Sequence, residues 1–599
     1  MLARGTEGST RPIHAYSSMV VGHEGHGGWR FASVALILAL TGCSDPVGGG
    51  DTDDSAGTGG ASTGASSAAS EGSTGADSSG GVDESSGSTG EPPILDVVPP
   101  PGGVRRLLAH QYVESVRLLL GDSAAEAAAP PEDPLIGNYD AMGTLVSAPA
   151  PADVEFYESS SMAIAEAVVE DPSTLALTVP CVVDGPFDED CYDDVARRFG
   201  RLAWRRPVNN AEAGRLRNIA LMARDWDEGE FMTGVQYMLT AILQSPNFLY
   251  IVEIGQPGEG DYLELDGYEL ATRLSFFLAG RTPDASALEL AADGALDSDE
   301  GARALAESLL AQPEARRAVE RFYGEYLTVR NLPSKSKDPE LFPAFGEDLK
   351  AAMLEETMRL VDNVVFENDD SVSTLFDSDT TFVNDDLAAL YGVDAPGGWE
   401  QVTLPASQGR AGVLTHASWL TMMSHTNVNS PTRRGLFVME KVLCNEIPLP
   451  PPSVNPQPIE PQEGQTLRES LSQHMSDPSC ASCHALTDPI GFAFEHFDPT
   501  GAHRTQDNGQ PIDASGEVAG IGAFDGAAEL ASLIAGDTRL PGCMVDNVFT
   551  QSLGFVPDDG QVPALEAVTE TFFADGLRMK QMLVELTSSP IFRQVDQAK

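Results

Sequence analysis

Cysteine is scarce in this chain, seven in 599 residues, and cations are outnumbered: 36 lysines and arginines stand against 90 aspartates and glutamates, a formal charge of −54. Charge of that sign repels phosphate backbones and anionic headgroups over the whole surface, so no nucleic-acid partner is expected. The acid itself reads as a solvated face rather than a binding surface. No apolar run approaches eighteen residues, so no segment is expected to cross a bilayer. Period-two alternation bounded by turn residues is rare, and no repeat of fixed period is visible, which argues against a sheet protein and against a solenoid. With 42% apolar residues, a sizeable core in several packed units is expected and wholesale disorder is excluded.

The first 43 residues read as an address. Arg30 precedes the ten-residue apolar run 31–40, too short to span a bilayer but of signal-peptide length. The following "LTGC", ending at Cys43, resembles the lipobox of bacterial lipoproteins, which implies cleavage before Cys43 and lipidation of its sulfur; the alternative is an ordinary signal peptide with a chance cysteine. Thirty upstream residues are long for an n-region, and Met19 is an alternative start. Residues 44–91 are almost all Gly, Ser, Thr, Ala, Asp and Glu, which cannot bury enough apolar surface to offset chain entropy. Segments 1–43 and 44–91 are therefore expected to be a lipoprotein signal and a disordered tether. They place the protein at the cell envelope, facing periplasm or exterior, with membrane contact through the lipid anchor only.

From residue 92 onward the dominant period is helical. Leu108, Tyr112, Val116 and Leu119 stand at steps of four, four and three before Gly121. The same period recurs in 231–243 and in "YELATRLSFFLAG", and Asn384 is placed to cap "DDLAALYG". Residues 256–260 separate two helical regions, 333–343 interrupt a third, and "PLPPPSVNPQPIEPQ" at 448–462 must run extended. The expected divisions are helical domains over 92–255, a central helical domain over 256–443, a proline-rich strap over 444–465 and a last domain over 466–599.

"LAWRRPVNNAE" with "LQSPNFLYIVE", then "YELATRLSFFLAGRTPD", "TFVNDDLAALYG", "RAGVLTHASWLTMMSHTNVNSPTRRGLFV" and "DPSCASCHALTDPIGFAFEHFDPTG" occur in that order. Together they resemble a set of linked domain families of secreted planctomycete and myxobacterial proteins, most without an established activity. The last segment resembles a planctomycete cytochrome c domain. The resemblance runs from about residue 104 to the C-terminus and implies a mainly α, multidomain protein with long loops and a C-terminal cytochrome c-like helical domain. One departure is His503, which stands before Arg504 where the family pattern has an aromatic residue.

The chemistry concentrates in "CASCH". A c-type haem is held by two thioethers whose sulfurs lie one helical turn apart, with the next histidine beneath the iron. Cys480 and Cys483 are thus the expected attachment points for covalent haem c, and His484 the proximal iron ligand. This composition would produce the motif by chance about once in 700 such chains. Two structural readings stand beside it. A zinc site could use both cysteines, but adjacent Cys483 and His484 cannot easily share one tetrahedral ion and no second pair follows. A Cys480–Cys483 disulfide would want a preceding strand and a βαβ pattern. Of the other cysteines, Cys181 and Cys191 flank a short acidic loop, and closing it would stabilise by roughly 3 kcal/mol. Cys444 and Cys543 would then clamp the strap to the C-terminal helices, or remain as buried thiols.

What faces the iron opposite His484 decides between electron transfer and oxidative catalysis. His416, His425, His474, His496 and His503 cluster around the motif, as do Met422, Met423, Met475 and Met544; Met544 reads as core. Phe492, Phe494 and Phe497 read as a haem wall or as ordinary core, and Arg504 as a propionate partner or a solvated charge. Asp488-Pro489 and Asp498-Pro499 read as turn starts, and Glu355-Glu356 as a solvated face. Three functions follow: an envelope electron carrier with an unnamed redox partner, a haem-dependent oxidative enzyme whose pocket lies in 104–442, or a haem-free surface module with a CxxC disulfide.

Overall fold

The apolar steps Leu108, Tyr112, Val116 and Leu119 line the buried side of helix α1 (Ala109–Leu120), which Gly121 closes. The computed structural model describes residues 97–137, 139–258, 262–448, 464–474 and 478–596. Cys43, segments 1–43 and 44–91, and 449–463 of the strap lie outside the described residues, as does Met475.

Helix α2 (Pro151–Glu170) and helix α3 (Asn210–Trp226) both pack on α4 (Phe231–Leu243). Asn209 starts α3 with a reciprocal cap: its Oδ1 accepts from Glu212 N at 2.9 Å, and Glu212 Oε2 accepts from Asn209 N at 3.0 Å. These helices share one apolar core drawn from Tyr112 to Leu249. The antiparallel pair β1 (Gly103–Arg106) and β2 (Tyr250–Glu253), with Gly103 opposite Glu253, joins the two ends of that stretch. Cys181 and Cys191 form a disulfide, their Cα atoms 5.8 Å apart, with Cys191 buried in that core and Cys181 packed against it.

A second, larger core runs from Leu265 to Val595. It takes in α5 (Gly267–Leu278), α6 (Glu347–Asp362), α7 (Asp385–Tyr391), α8 (Ala417–Met422) and α9 (Pro431–Phe437). Asn384 Oδ1 accepts from Leu387 N at 3.0 Å and so caps α7. Beyond the strap come α10 (Leu467–His474), α11 (Pro478–Phe492), α12 (Arg539–Leu553), α13 (Val562–Ala574) and α14 (Met579–Ser588). Trp419 shows how the parts share this core: its ring meets Phe437 at 5.4 Å and Phe494 at 5.2 Å. The fold is mainly helical, with sheets of two or three short strands. The described residues fall in one compact unit, Gly90–Lys599, and among them no helix is long and apolar enough to cross a membrane.

Candidate functional site

Helix α11 carries the CASCH turn. Cys480 and Cys483, three residues apart, stand on one side of the helix. They are not joined to each other, whereas Cys181–Cys191 and Cys444–Cys543 are disulfides. The Cys483 thiol reaches Pro448 O at 2.9 Å, so the start of the strap crosses the motif. The next residue, His484, donates from Nδ1–H to Oδ2 of Asp488, one turn on, at 2.9 Å. Asp488 is buried and also accepts from Thr432 Oγ1 on α9 at 2.7 Å. The Asp488 hydrogen bond holds the imidazole above its ordinary pKa, against the effect of burial. A carboxylate on Nδ1 fixes the tautomer and leaves the lone pair on Nε2, the atom a metal would take. The donor set fits haem c: two thiols outside any disulfide, one turn apart, and an imidazole braced through Nδ1. Zinc would need a third ligand, and among the described residues no group of three or more His, Cys, Asp or Glu is placed to hold a metal ion.

Asp488 corrects the expectation of a turn at Asp488-Pro489. Pro489 lies inside α11, where it forgoes only the bond to the carbonyl of Ala485, a residue on the exposed side. Asp488 thereby lands four residues after His484, on the same face.

The site is held by a close crossing of α9 and α11. A Cβ at Gly435 would lie 1.8 Å from Thr487 O, and one at Gly491 would lie 1.9 Å from Pro431 O. Glycine at both positions lets the backbones touch, which brings Thr432 within reach of Asp488. Next to the crossing lies a buried charged network. Arg434, fully buried, donates to Phe494 O and to Asn429 Oδ1, both at 3.0 Å, and Asn429 Nδ2 donates to Glu495 Oε1 at 3.0 Å. Arg504 closes it by donating from Nη2 to Glu495 Oε2 and from Nη1 to Asp507 Oδ1, both at 2.8 Å. Burial pushes Glu495 up and Arg434 down to about 10, so desolvation works against both charges.

Arg504 is therefore engaged with Glu495 and Asp507 inside the protein rather than standing as a solvated charge. His503, where the resembled pattern has an aromatic residue, packs as an aromatic: its ring stacks on His496 at 5.9 Å and meets Phe497 edge-on at 6.2 Å. His496 Nδ1–H donates to Arg504 O at 3.1 Å. Phe494, Phe497 and Met544 belong to the large core, and Phe492 packs with Leu467 and Leu471. The side chain of His474 lies outside the described residues. Asp498 does start a turn, accepting at Oδ1 from Thr500 N and Ala502 N.

Glu356 departs from the expected solvated face. It is fully buried, accepts from Tyr391 O–H at 2.6 Å and from Thr381 Oγ1 at 2.9 Å, and is pushed up to about 7 by burial. His416 lies beside it, held between Thr357 and Thr381 at 3.1 and 3.2 Å and pushed down to about 3, first by burial and then by Arg410. It is a neutral core histidine. A single acid in the Glu355-Glu356 pair faces inward, and helical position relative to Met353 and Leu360 was the available signal.

Three family models match the chain, in the order of the quoted resemblances. Residues 191–253 match PSD5, described as a protein of unknown function (DUF1595). Residues 265–393 match PSD4, a protein of unknown function (DUF1592), and residues 410–507 match PSCyt3, a protein of unknown function (DUF1588). The CASCH turn, α9 and the Arg434 network all fall inside the last, cytochrome-like domain. No curated protein and no solved structure matches.

Proposed function

We propose that this chain is an exported, lipid-anchored, c-type cytochrome-like protein that carries electrons at the cell envelope. The observation that carries the reading is the turn in which Cys480 and Cys483 stand outside any disulfide and His484 is braced by Asp488 at 2.9 Å. Cys480 and Cys483 would hold haem c as thioethers, and His484 would present Nε2 to the iron. When bound, the group supplies one-electron redox chemistry. The protein's part is orientation: Thr432 and Asp488 hold the imidazole so that its direction and proton on Nδ1 stay fixed. Lipidation at Cys43 and the tether over 44–91 would keep the folded unit near a membrane and in reach of a redox partner.

A pyridine haemochrome assay on protein expressed with a haem-attachment system tests this. A covalent haem spectrum is expected from the wild type and none from Cys480→Ser/Cys483→Ser. A spectrum that survives loss of both cysteines, or no haem in the wild type, would contradict it. The anchor is tested by fractionation, where Cys43→Ser should move the protein from the membrane to the soluble fraction.

The Asp488 carboxylate also favours a second reading, a haem-dependent oxidative enzyme with an open iron position. Negative charge on Nδ1 raises ligand basicity, which favours the oxidised metal. A high-spin ferric spectrum that changes with cyanide supports the enzyme, and an unresponsive low-spin spectrum supports the carrier. The haem-free surface module would join Cys480 and Cys483 in a disulfide, and a mass difference of two hydrogens on their peptide in the isolated protein, with no haem, would support it.

A further inference from the structure

A second concave feature shares no residue with the CASCH turn. Lys335, Lys337, His425 and Arg433 line a cleft of about 450 Å³, within the size range of small-molecule sites. Among the described residues no aspartate or glutamate lines it, although acids outnumber cations 90 to 36 in the chain. Every lining residue except Val428 carries a side-chain hydrogen-bond donor, Ser336 and Asn427 among them. Lys337 is fixed in the wall: its ammonium donates to Thr421 O at 3.1 Å, Ser424 Oγ at 2.6 Å and His425 O at 2.7 Å. All three of those acceptors are neutral. Burial first, then Arg434 and Lys335, pushes Lys337 down to about 7, with Asp498 acting in the opposite sense. Burial and Arg433 likewise lower Lys335, and Arg433, Lys337 and Lys335 add to burial in lowering His425. Positive groups therefore converge here without a carboxylate among the described lining residues, an arrangement that gains from a bound anion.

We propose that this cleft binds a small oxyanion ligand, a carboxylate or a phosphoryl group, with Lys335 and Arg433 contacting its charge and Lys337 supplying a fixed ammonium in the wall. The inference does not depend on haem attachment. Calorimetric titration of the full chain with citrate and with inorganic phosphate, at constant ionic strength set with chloride, tests it. Saturable binding of at least one probe is expected, and the tighter of the two shows whether the site prefers carboxylate or phosphoryl. Lys335→Gln/Arg433→Gln should weaken that binding tenfold or more while circular dichroism and the thermal midpoint stay unchanged. The Cys480→Ser/Cys483→Ser protein should bind as the wild type does. No saturable binding of either probe, or equal binding by the Lys335→Gln/Arg433→Gln protein, would overturn the proposal.

Discussion

At Asp488 one carboxylate accepts from His484 Nδ1 on its own helix and from Thr432 on the neighbouring one. If His484 takes the proposed place beneath the iron, this negative charge, more than its shape, would make the imidazole a stronger ligand, so Asp488→Asn should raise the reduction potential of the haem-loaded protein without lowering haem content. Spectroelectrochemical titration measures this, and an unchanged potential would count against the role. CASCH is a local pattern and can be read from five letters. Asp488 can be placed only once α11 is known to continue through Pro489, and Thr432 only once α9 is packed on it. Glu356 was only half legible: helical phase with Met353 and Leu360 turns it inward, but nothing local says that it meets Tyr391. Its pKa is raised by burial from 4.5 to about 7. A carboxyl with a folded pKa above its unfolded one contributes stability that is fully present below about 4.5 and is lost as pH rises through about 7. Glu356→Gln should therefore gain thermal midpoint relative to the wild type between about pH 5 and about pH 8. A difference that stays flat over that range would contradict the assignment.

Helices α9 and α11 cross at glycine, and the geometry leaves no room for a methyl group. In Gly435→Ala or Gly491→Ala the added Cβ meets backbone carbonyls rather than flexible side chains. Each should cost about 1–3 kcal/mol or more in urea unfolding. Because the shift separates Thr432 from Asp488, the haem spectrum should change as well. A variant with wild-type stability would show that the crossing is looser than described. The Arg434–Glu495–Arg504 network lies beside this crossing, and Arg434→Met should cost less than the roughly 3–5 kcal/mol of a fully broken buried pair, because Arg504 still holds Glu495 while Phe494 O and Asn429 Oδ1 lose their donor. The helices themselves were legible: the apolar steps of α1, the run that became α4 and the Asn384 cap are all local. Which helix lies against which was not, because Gly435 and Gly491 look like ordinary helix-weakening residues until both are seen at one contact.

Across the whole molecule, the larger core draws on residues 265–595, and the Cys444–Cys543 disulfide spans a sequence separation of 99 within it. In the chain-entropy model a loop of that length is worth about 4.7 kcal/mol, against roughly 3 kcal/mol for the short Cys181–Cys191 loop. Cys444→Ala/Cys543→Ala should therefore lower the urea midpoint more than Cys181→Ala/Cys191→Ala does. The reverse order would show that the strap's attachment matters little to the fold. Charge acts at this scale too: a net −54 disfavours anionic surfaces in general, which gives the local cleft of Lys335, Lys337 and Arg433 its contrast. The account rests most heavily on covalent haem at α11. Peptide mass mapping of protein matured with a haem-attachment system decides it. The account predicts one haem on the peptide that contains Cys480, Cys483 and His484. A disulfide or two unmodified thiols on that peptide in the matured protein would contradict it.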